Sequence, residues 1–299
     1  MYTFTRGFAL HRLMVRLLLL GLFAVSASFG QPSKKPIVIA HRGGAALRPE
    51  NTITAFQNAL KLGVRVLEFD MNVSKDGVVV IHHDSTVNPA ICNAPVTSGI
   101  KPGPIALLTV TEIRQFDCGS FARPNSPRYQ PVPGQQMPTL DEFLASVKES
   151  GAVLLGETKF APGSAPSVAP ERFVDLIYAA LKKHGVQDRF ILQSGDYRTI
   201  DAMAKKDPKV RTCLLNARRF KPDYLKLARN HKATHLMLRA EDTSASQVRD
   251  LQAAGLVIYS STANTPSDWQ KYVDLGMDGI LTDDPAGLME FLSGNKPAR

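Results

Sequence analysis

The feature that most constrains the fold of this 299-residue chain is a repeated alternation of short apolar runs with amphipathic stretches. Eight runs have the character of buried strands: Ile37–Ala40, Val64–Asp70, Ala152–Glu157, Phe190–Gln193, Val210–Leu215, His235–Leu238, Val257–Ser260 and Gly279–Thr282. Six stretches between them have helical character: Asn51–Leu62, Leu140–Ser150, Glu171–His184, Tyr197–Lys205, Ser246–Ala254 and Ser267–Leu275.

This alternation predicts the fold class. Nearly continuous apolar strands separated by helices indicate a parallel sheet that is covered on both faces. Eight such units in about 260 residues are typical of a closed (β/α)₈ barrel, the TIM barrel. A doubly wound open sheet is the alternative, but the first strand is not followed by the Gly-x-Gly-x-x-Gly turn of that class.

An extra apolar run at residues 78–82 follows the second strand too closely for the crossover that a parallel connection needs. The intervening Ser74–Gly77 is a turn signal, so we expect the second strand to overshoot the barrel and return as a β-hairpin. A turn centred on Lys75-Asp76 brings His83 level with Glu68. A register slip of one residue would turn the histidine to the other face.

Residues 85–138 form a long irregular insertion after the hairpin, rich in Pro, Gly, Asn and Ser. A loop of this length is usually functional, and we expect it to lie over the barrel mouth. Two of the three cysteines, Cys92 and Cys118, fall within it, which favours a disulfide between them in an oxidising compartment. Cys213 lies in an apolar run and is interpreted as a buried strand residue.

The first 30 residues differ from the rest of the chain. Arg6, Arg12 and Arg16 precede an apolar block at residues 17–25, and small residues follow it. This order is typical of a secretory signal peptide, with an uncleaved anchor as the alternative. We therefore expect one barrel domain at residues 31–299 that is periplasmic or secreted and keeps no stable membrane span after cleavage.

The net charge and its distribution limit the kinds of molecule that the protein is expected to bind. The formal net charge is +9, and it falls to +6 when the three arginines of the signal region are removed. The remaining basic residues are dispersed and form no aromatic-rich basic stripe, so nucleic-acid binding is not expected. Attraction of a small anionic substrate accounts for the balance.

Three carboxylates fall at the ends of predicted barrel strands. Because side chains alternate along a strand, Glu68 and Asp70 share one face, and Glu157 ends the next barrel strand. Carboxylates inside a barrel are costly unless they are paired or bind a metal, and oxygen ligands suit Mg²⁺ or Ca²⁺. The sequence therefore predicts a divalent-cation site. The alternative is a structural ion pair of Glu157 with Lys159 or Arg42.

Two histidines and two cations accompany these acids. His41 and Arg42 end the first strand, and the hairpin brings His83 towards the same place. Histidine exchanges a proton near neutral pH, and the planar guanidinium of Arg42 matches a phosphate group. Lys159 lies on the same strand face as Glu157 and is a second candidate for a phosphate oxygen. Together they favour acid/base chemistry on a phosphate ester.

These residues are part of a collinear set of motifs that covers nearly all of residues 31–299: His41-Arg42-Gly43, Pro49-Glu50-Asn51-Thr52, Glu68-Phe69-Asp70, Asp76-Gly77, His83-Asp84, Glu157-Thr158-Lys159 and Thr282-Asp283-Asp284-Pro285. In order and spacing the set resembles the glycerophosphodiester phosphodiesterase family. The resemblance implies a TIM-barrel hydrolase that uses a divalent cation, Ca²⁺ or Mg²⁺, to split glycerophosphodiesters into an alcohol and glycerol 3-phosphate. By position it implies three sets of residues: metal ligands Glu68, Asp70 and Glu157, an acid/base pair His41 and His83, and phosphate-binding Arg42 and Lys159.

The sequence departs from the family pattern at two places near the expected pocket. Family members often carry an aromatic residue where Gly195 follows Ser194, and another where Ser261 precedes Thr262-Ala263-Asn264. Both changes remove bulk, which leaves room for a larger or more polar head group. Cleavage of lysophospholipids or phosphoinositides on a related barrel is a second enzymatic interpretation. Non-catalytic binding of phosphodiesters is a third, although all the ionisable site residues are present.

Overall fold

A computed structural model describes residues 35–94, 97, 99–159, 168–215 and 223–294. Within this part of the chain nine strands form one sheet: β1 (Ile37–Ala40), β2 (Val66–Val73), β3 (Val79–Ile81), β4 (Val153–Thr158), β5 (Phe190–Ser194), β6 (Arg211–Leu214), β7 (His235–Leu238), β8 (Val257–Ser260) and β9 (Gly279–Thr282). Their order is β1-β9-β8-β7-β6-β5-β4-β2-β3, and β1 also pairs with β2. Eight parallel strands thus close into a barrel, which confirms the predicted fold. The predicted signal peptide, residues 1–30, lies outside the described residues.

Nine α-helices lie in the described ranges: α1 (Ile53–Lys61), α2 (Val110–Ile113), α3 (Leu140–Val147), α4 (Pro170–His184), α5 (Tyr197–Lys206), α6 (Tyr224–Asn230), α7 (Ala245–Ala253), α8 (Pro266–Leu275) and α9 (Pro285–Ser293). The six predicted helices are present. Of the other three, α2 is a four-residue helical turn in the insertion, whereas α6, which has only seven residues, and α9 were not predicted. The start of α9 is marked by the cap Asp284 and by Pro285 at its first position. No helix in these ranges is long and apolar enough to span a bilayer.

The predicted hairpin is present, but its predicted register is wrong by one residue. The loop has three residues rather than two, because Ser74 N donates to Val78 O and Gly77 adopts a left-handed φ of 77°. In this register the backbone N–H of His82 donates to Asp70 O. His83 therefore lies beyond the end of β3, in the segment that leads into the insertion. From there it reaches the barrel mouth.

Alternation along the strands separates two layers of side chains. On β2, Val66 points into the barrel, where it packs with Leu155 and Leu281, whereas Leu67 and Phe69 pack outwards against the helices. Glu68 and Asp70 follow Val66 on the inner face, as the period of two requires. The barrel is thus apolar at its middle and charged towards the carboxyl ends of its strands, which is where TIM barrels carry their active sites.

The insertion has an apolar core of its own. Cys92 and Cys118 form a disulfide with an S–S distance of 2.06 Å, as predicted, and they pack with Val87, Ile105 and Phe116. Cys213 is free and buried inside the barrel, also as predicted. The insertion is joined to the hairpin and to the loop after β1 by backbone hydrogen bonds, Lys75 N to Leu108 O and Gln130 N to Leu47 O.

Candidate active site

A cavity of about 360 Å³ opens at the carboxyl ends of the barrel strands. Six of the seven predicted site residues line it: His41, Arg42, Glu68, His83, Glu157 and Lys159. The seventh, Asp70, is fully buried and contacts Arg42 and Lys159. The structure therefore brings all seven residues together, although they come from four separate segments of the chain.

Three carboxylates converge at this end of the barrel. Glu68, Asp70 and Glu157 each offer one oxygen, and these oxygens lie within 4.8 Å of one another. Lys159 Nζ lies 3.1 Å from Asp70 Oδ1 and 2.9 Å from Glu157 Oε2, so the ion pair foreseen as the alternative for Glu157 is also present. Glu68 accepts hydrogen bonds from Gln193 Nε2 and from the backbone N–H of Arg42, both at 2.8 Å.

Burial and nearby charges shift the pKa values of all three carboxylates. Burial and the nearby charge of Asp70 raise the pKa of Glu68 to about 8. Burial also opposes ionisation of Asp70, but the charges of Lys159 and Arg42 outweigh it and lower its pKa to about 2. Burial, next to the charge of Asp70, raises the pKa of Glu157 although Lys159 opposes the shift. Such a cluster of buried carboxylates is stabilised by additional positive charge.

The loop after β1 aims several polar groups at the carboxylates. Arg42 and Asn51 have left-handed φ values of 51° and 58°, which are unusual for residues other than glycine. This conformation directs the Arg42 N–H at Glu68, and the Asn51 side chain donates to Asp70 Oδ2 at 2.8 Å. Thr52, not Asn51, caps α1 by accepting from the N–H of Ala55. The backbone strain therefore lies at the site.

His41 is held by a carboxylate from the opposite end of the chain. Its Nδ1 lies 2.6 Å from Asp283 Oδ1, and Asp283 Oδ2 accepts from Asn264 Nδ2 at 2.7 Å. Arg42 Nε donates to His41 Nε2 at 3.2 Å, which makes Nε2 the acceptor and leaves the ring proton on Nδ1. Burial would lower the pKa of His41, but the hydrogen bond to Asp283 and the charge of Glu68 raise it overall.

His83 has the same arrangement with local partners. Its Nδ1 lies 2.7 Å from Oδ1 of the adjacent Asp84, and Asp84 Oδ2 accepts from Asn88 Nδ2 at 2.8 Å. The His83 side chain is 33% exposed, compared with 15% for His41. Burial lowers the pKa of His83, and the charge of Asp70 only partly opposes the shift.

Several residues at the site were given no role by the sequence analysis. Asp283 and Asn264 position His41, Asn88 supports Asp84, and Gln193 holds Glu68. Asp283 and Asn264 were noted in motifs, but neither the pattern nor the spacing indicated that they would reach His41. The one available signal was the position of Asp283 just beyond β9, because polar residues at the carboxyl ends of barrel strands often belong to the active site.

The two departures from the family pattern have different locations. Ser261 lines the cavity, and its hydroxyl lies 2.6 Å from the hydroxyl of Tyr272. Gly195 is not among the described residues that line the cavity. Of the two, the serine is the one that lines the cavity.

Comparison with known proteins identifies the chain. A model of the glycerophosphoryl diester phosphodiesterase family matches residues 41–287. The chain belongs to this family. The predicted enzyme class, a phosphoric diester hydrolase, is confirmed by this membership, and the matched region contains every site residue described above.

Individual relatives agree in sequence and in fold. A glycerophosphodiester phosphodiesterase of Caldanaerobacter subterraneus subsp. tengcongensis is 26% identical over 260 residues, which are 86% of this chain and 98% of the relative. A solved structure from Silicibacter pomeroyi has a TM-score of 0.78 at 26% identity and covers 89% of this chain and 95% of its own. An Oleispira antarctica phosphodiesterase, solved in complex with the product sn-glycerol-3-phosphate, has a TM-score of 0.73 at 24% identity and covers 86% and 97%.

Proposed function

We propose that this protein hydrolyses glycerophosphodiesters to an alcohol and glycerol 3-phosphate with the help of one divalent cation. The observation that carries the proposal is the convergence of three carboxylate oxygens within 4.8 Å in a cavity that two carboxylate-supported histidines also line. The product bound to the Oleispira relative supports glycerol 3-phosphate as one of the two products.

The donor set fits a hard cation such as Mg²⁺ or Ca²⁺. Glu68, Asp70 and Glu157 offer oxygen ligands, and Asp70 Oδ1 is buried with the Lys159 ammonium 3.1 Å away. We assign these three residues as the ligands. When bound, such an ion neutralises charge on the phosphoryl oxygens.

The phosphate is bound by Arg42 and Lys159. Both side chains line the cavity beside the carboxylates, with exposed fractions of 19% and 17%. A planar guanidinium and an ammonium group in a partly dehydrated cavity stabilise the charge that develops on a phosphate oxygen.

His41 and His83 form the acid/base pair. Each uses Nδ1 to bind a carboxylate, so we assign proton exchange to the other ring nitrogen, Nε2, which in His41 also faces Arg42 Nε at 3.2 Å. One imidazole removes the proton from the attacking hydroxyl or water, and the other donates a proton to the leaving alkoxide. The carboxylates fix each ring and stabilise the imidazolium form.

We also propose that the protein acts outside the cytoplasm, in the periplasm or secreted. The buried disulfide between Cys92 and Cys118 supports an oxidising compartment, and residues 1–30 have the sequence character of a signal peptide. Mass measurement of the native N-terminus after cell fractionation tests this proposal. A cytoplasmic protein that retains residue 1 would contradict it.

The deciding experiment measures glycerol 3-phosphate released from glycerophosphocholine. The protein is treated with EDTA, dialysed, and assayed with Mg²⁺ or Ca²⁺ added back. We expect no turnover after chelation and recovery with at least one ion. Glu157→Gln serves as the ligand variant, and it should need a higher ion concentration for half-maximal rate. Full activity of the chelated protein would refute the metal assignment, and release of choline phosphate instead would refute the predicted site of cleavage.

A further inference from the structure

One side chain of the insertion reaches the loop that carries Arg42. Arg123 Nη2 donates to Glu50 Oε2, and its guanidinium carbon lies 5.9 Å from the centre of the Tyr129 ring. The Arg123 side chain is only 29% exposed. Burial of this kind, with a carboxylate and an aromatic face as partners, fixes the orientation of a guanidinium group.

Glu50 connects Arg123 to the site. Its side chain is 8% exposed, and its other oxygen, Oε1, accepts from Arg42 Nη1 at 2.7 Å. Each oxygen of this nearly buried carboxylate is therefore bound by a different arginine.

This sharing determines which nitrogens of Arg42 are occupied. Arg42 Nε faces His41 Nε2 and Asp70 Oδ2, and Nη1 binds Glu50. Within the described parts of the chain, none of the contacts of Arg42 uses Nη2. A carboxylate that is not shared prefers to bind an arginine with both oxygens, which occupies two nitrogens of the guanidinium.

We propose that Arg123 is a positioning residue for the reaction. By holding one oxygen of Glu50, it prevents Glu50 from binding Arg42 with both oxygens, and so keeps Nη2 of Arg42 available for the substrate phosphate. The inference rests on the proposed function, because it requires that Arg42 binds this phosphate. It gives the insertion, which is joined to the loop after β1, a direct role in substrate binding.

The test compares Arg123→Ala, Arg123→Lys, Glu50→Ala and the Arg123→Ala/Glu50→Ala double variant, all as full-length metal-loaded protein. The readouts are kcat and KM for glycerophosphocholine and the inhibition constant of inorganic phosphate. We expect Arg123→Ala to raise KM and the inhibition constant roughly tenfold, with a smaller change in kcat. Arg123→Lys should recover most of the loss. The double variant should resemble Glu50→Ala alone, because Arg123 acts through Glu50.

Arg114→Ala is the matched control. Arg114 lies in the same insertion and pairs with Glu142, away from the cavity lining. Its loss should leave KM and phosphate inhibition unchanged. Wild-type KM and phosphate inhibition in Arg123→Ala, additive effects of the two alanine substitutions, or an equal loss in Arg114→Ala would each overturn the proposal. If Arg123→Ala does not fold, Arg123→Gln, which keeps a long side chain but removes the charge, takes its place with the same expected rise in KM, and a wild-type KM in that variant would overturn the proposal.

Arg42→Ala separates this inference from the proposed function. If Arg42→Ala keeps the wild-type KM and phosphate inhibition, the assignment of Arg42 fails, and the inference fails with it. If Arg42→Ala loses phosphate binding while Arg123→Ala does not, the role of Arg123 alone is refuted.

Discussion

His41 and His83 reach one cavity from two very different supports. His41 follows a strand of the closed barrel and binds Asp283, 242 residues away, whereas His83 follows the antiparallel hairpin and binds the adjacent Asp84. Both carboxylates are held in turn by an asparagine side chain. The His–Asp–Asn arrangement at His41 therefore depends on closure of the barrel, whereas the one at His83 is formed by residues that are close together in the sequence.

The difference affects the environment of each ring more than its hydrogen bonding. Asp283 is 21% exposed and Asp84 is 40% exposed, so water can replace the partner of His83 more easily than that of His41. Burial acts to lower the pKa of both rings, but at His41 the hydrogen bond to Asp283 and the charge of Glu68 outweigh it and raise the pKa, whereas at His83 burial prevails over the charge of Asp70. One unit depends on the whole barrel, and the other depends on a hairpin and a disulfide-linked insertion.

The largest expected effect tests whether the two histidines are equivalent. His41→Ala and His83→Ala should each lower kcat by about 10²–10⁴-fold while circular dichroism remains native. His184→Ala is the control, because His184 also binds a carboxylate, Asp141, but on the outer helices. Near-normal turnover in either site variant would remove that histidine from the acid/base pair.

Changing the carboxylates should reveal the difference between the two supports. We expect Asp283→Asn to lower kcat roughly 100-fold and Asp84→Asn roughly tenfold, because an amide holds the ring less well and water compensates better at the exposed position. Steady-state kinetics at saturating metal measures both. Equal losses would show that exposure does not determine the contribution of the partner.

Removing the asparagines should have a smaller effect of the same kind. A net hydrogen bond of about 1 kcal/mol corresponds to roughly fivefold in kcat for Asn264→Ala and for Asn88→Ala. Combining each with the substitution of its own aspartate should add little, since each asparagine acts through that carboxylate. If the effects of the asparagine and aspartate substitutions on kcat are fully additive, the asparagine does not act through the aspartate.

A third histidine, His235, has no carboxylate among its described contacts and serves as the contrast. It is buried, its Nδ1 lies 2.8 Å from Thr234 Oγ1, and burial, aided by the charge of Arg211, lowers its pKa to about 4. Below pH 6.5 the unfolded chain takes up a proton that the folded state excludes, so His235 reduces stability as the pH falls towards 4.

His235→Gln should therefore leave kcat at pH 7 unchanged and reduce the acid sensitivity of folding. Between pH 7 and pH 5 the free energy of unfolding should fall by about 2 kcal/mol less than in the wild type, as measured by urea denaturation. An unchanged pH dependence would show that His235 is not held neutral in the folded state.

Local rules of the chain accounted for much of the site. The period of two placed Glu68 and Asp70 on the inner face of β2, and the eight strand–helix units predicted the barrel that collects strand ends at one mouth. The register of the hairpin could not be obtained in this way. It depends on the three-residue loop that the hydrogen bond between Ser74 and Val78 closes, in which Gly77 adopts a left-handed conformation.

By itself the sequence determined the fold class and the three inward carboxylates, and it placed Asp84 next to His83, because strand periodicity and chain adjacency act over a few residues. Only the tertiary structure decided that Asp283 binds His41 and that Arg123 reaches Glu50. These pairs are 242 and 73 residues apart, and they meet because β9 pairs with β1 and because the insertion docks on the loop that follows β1.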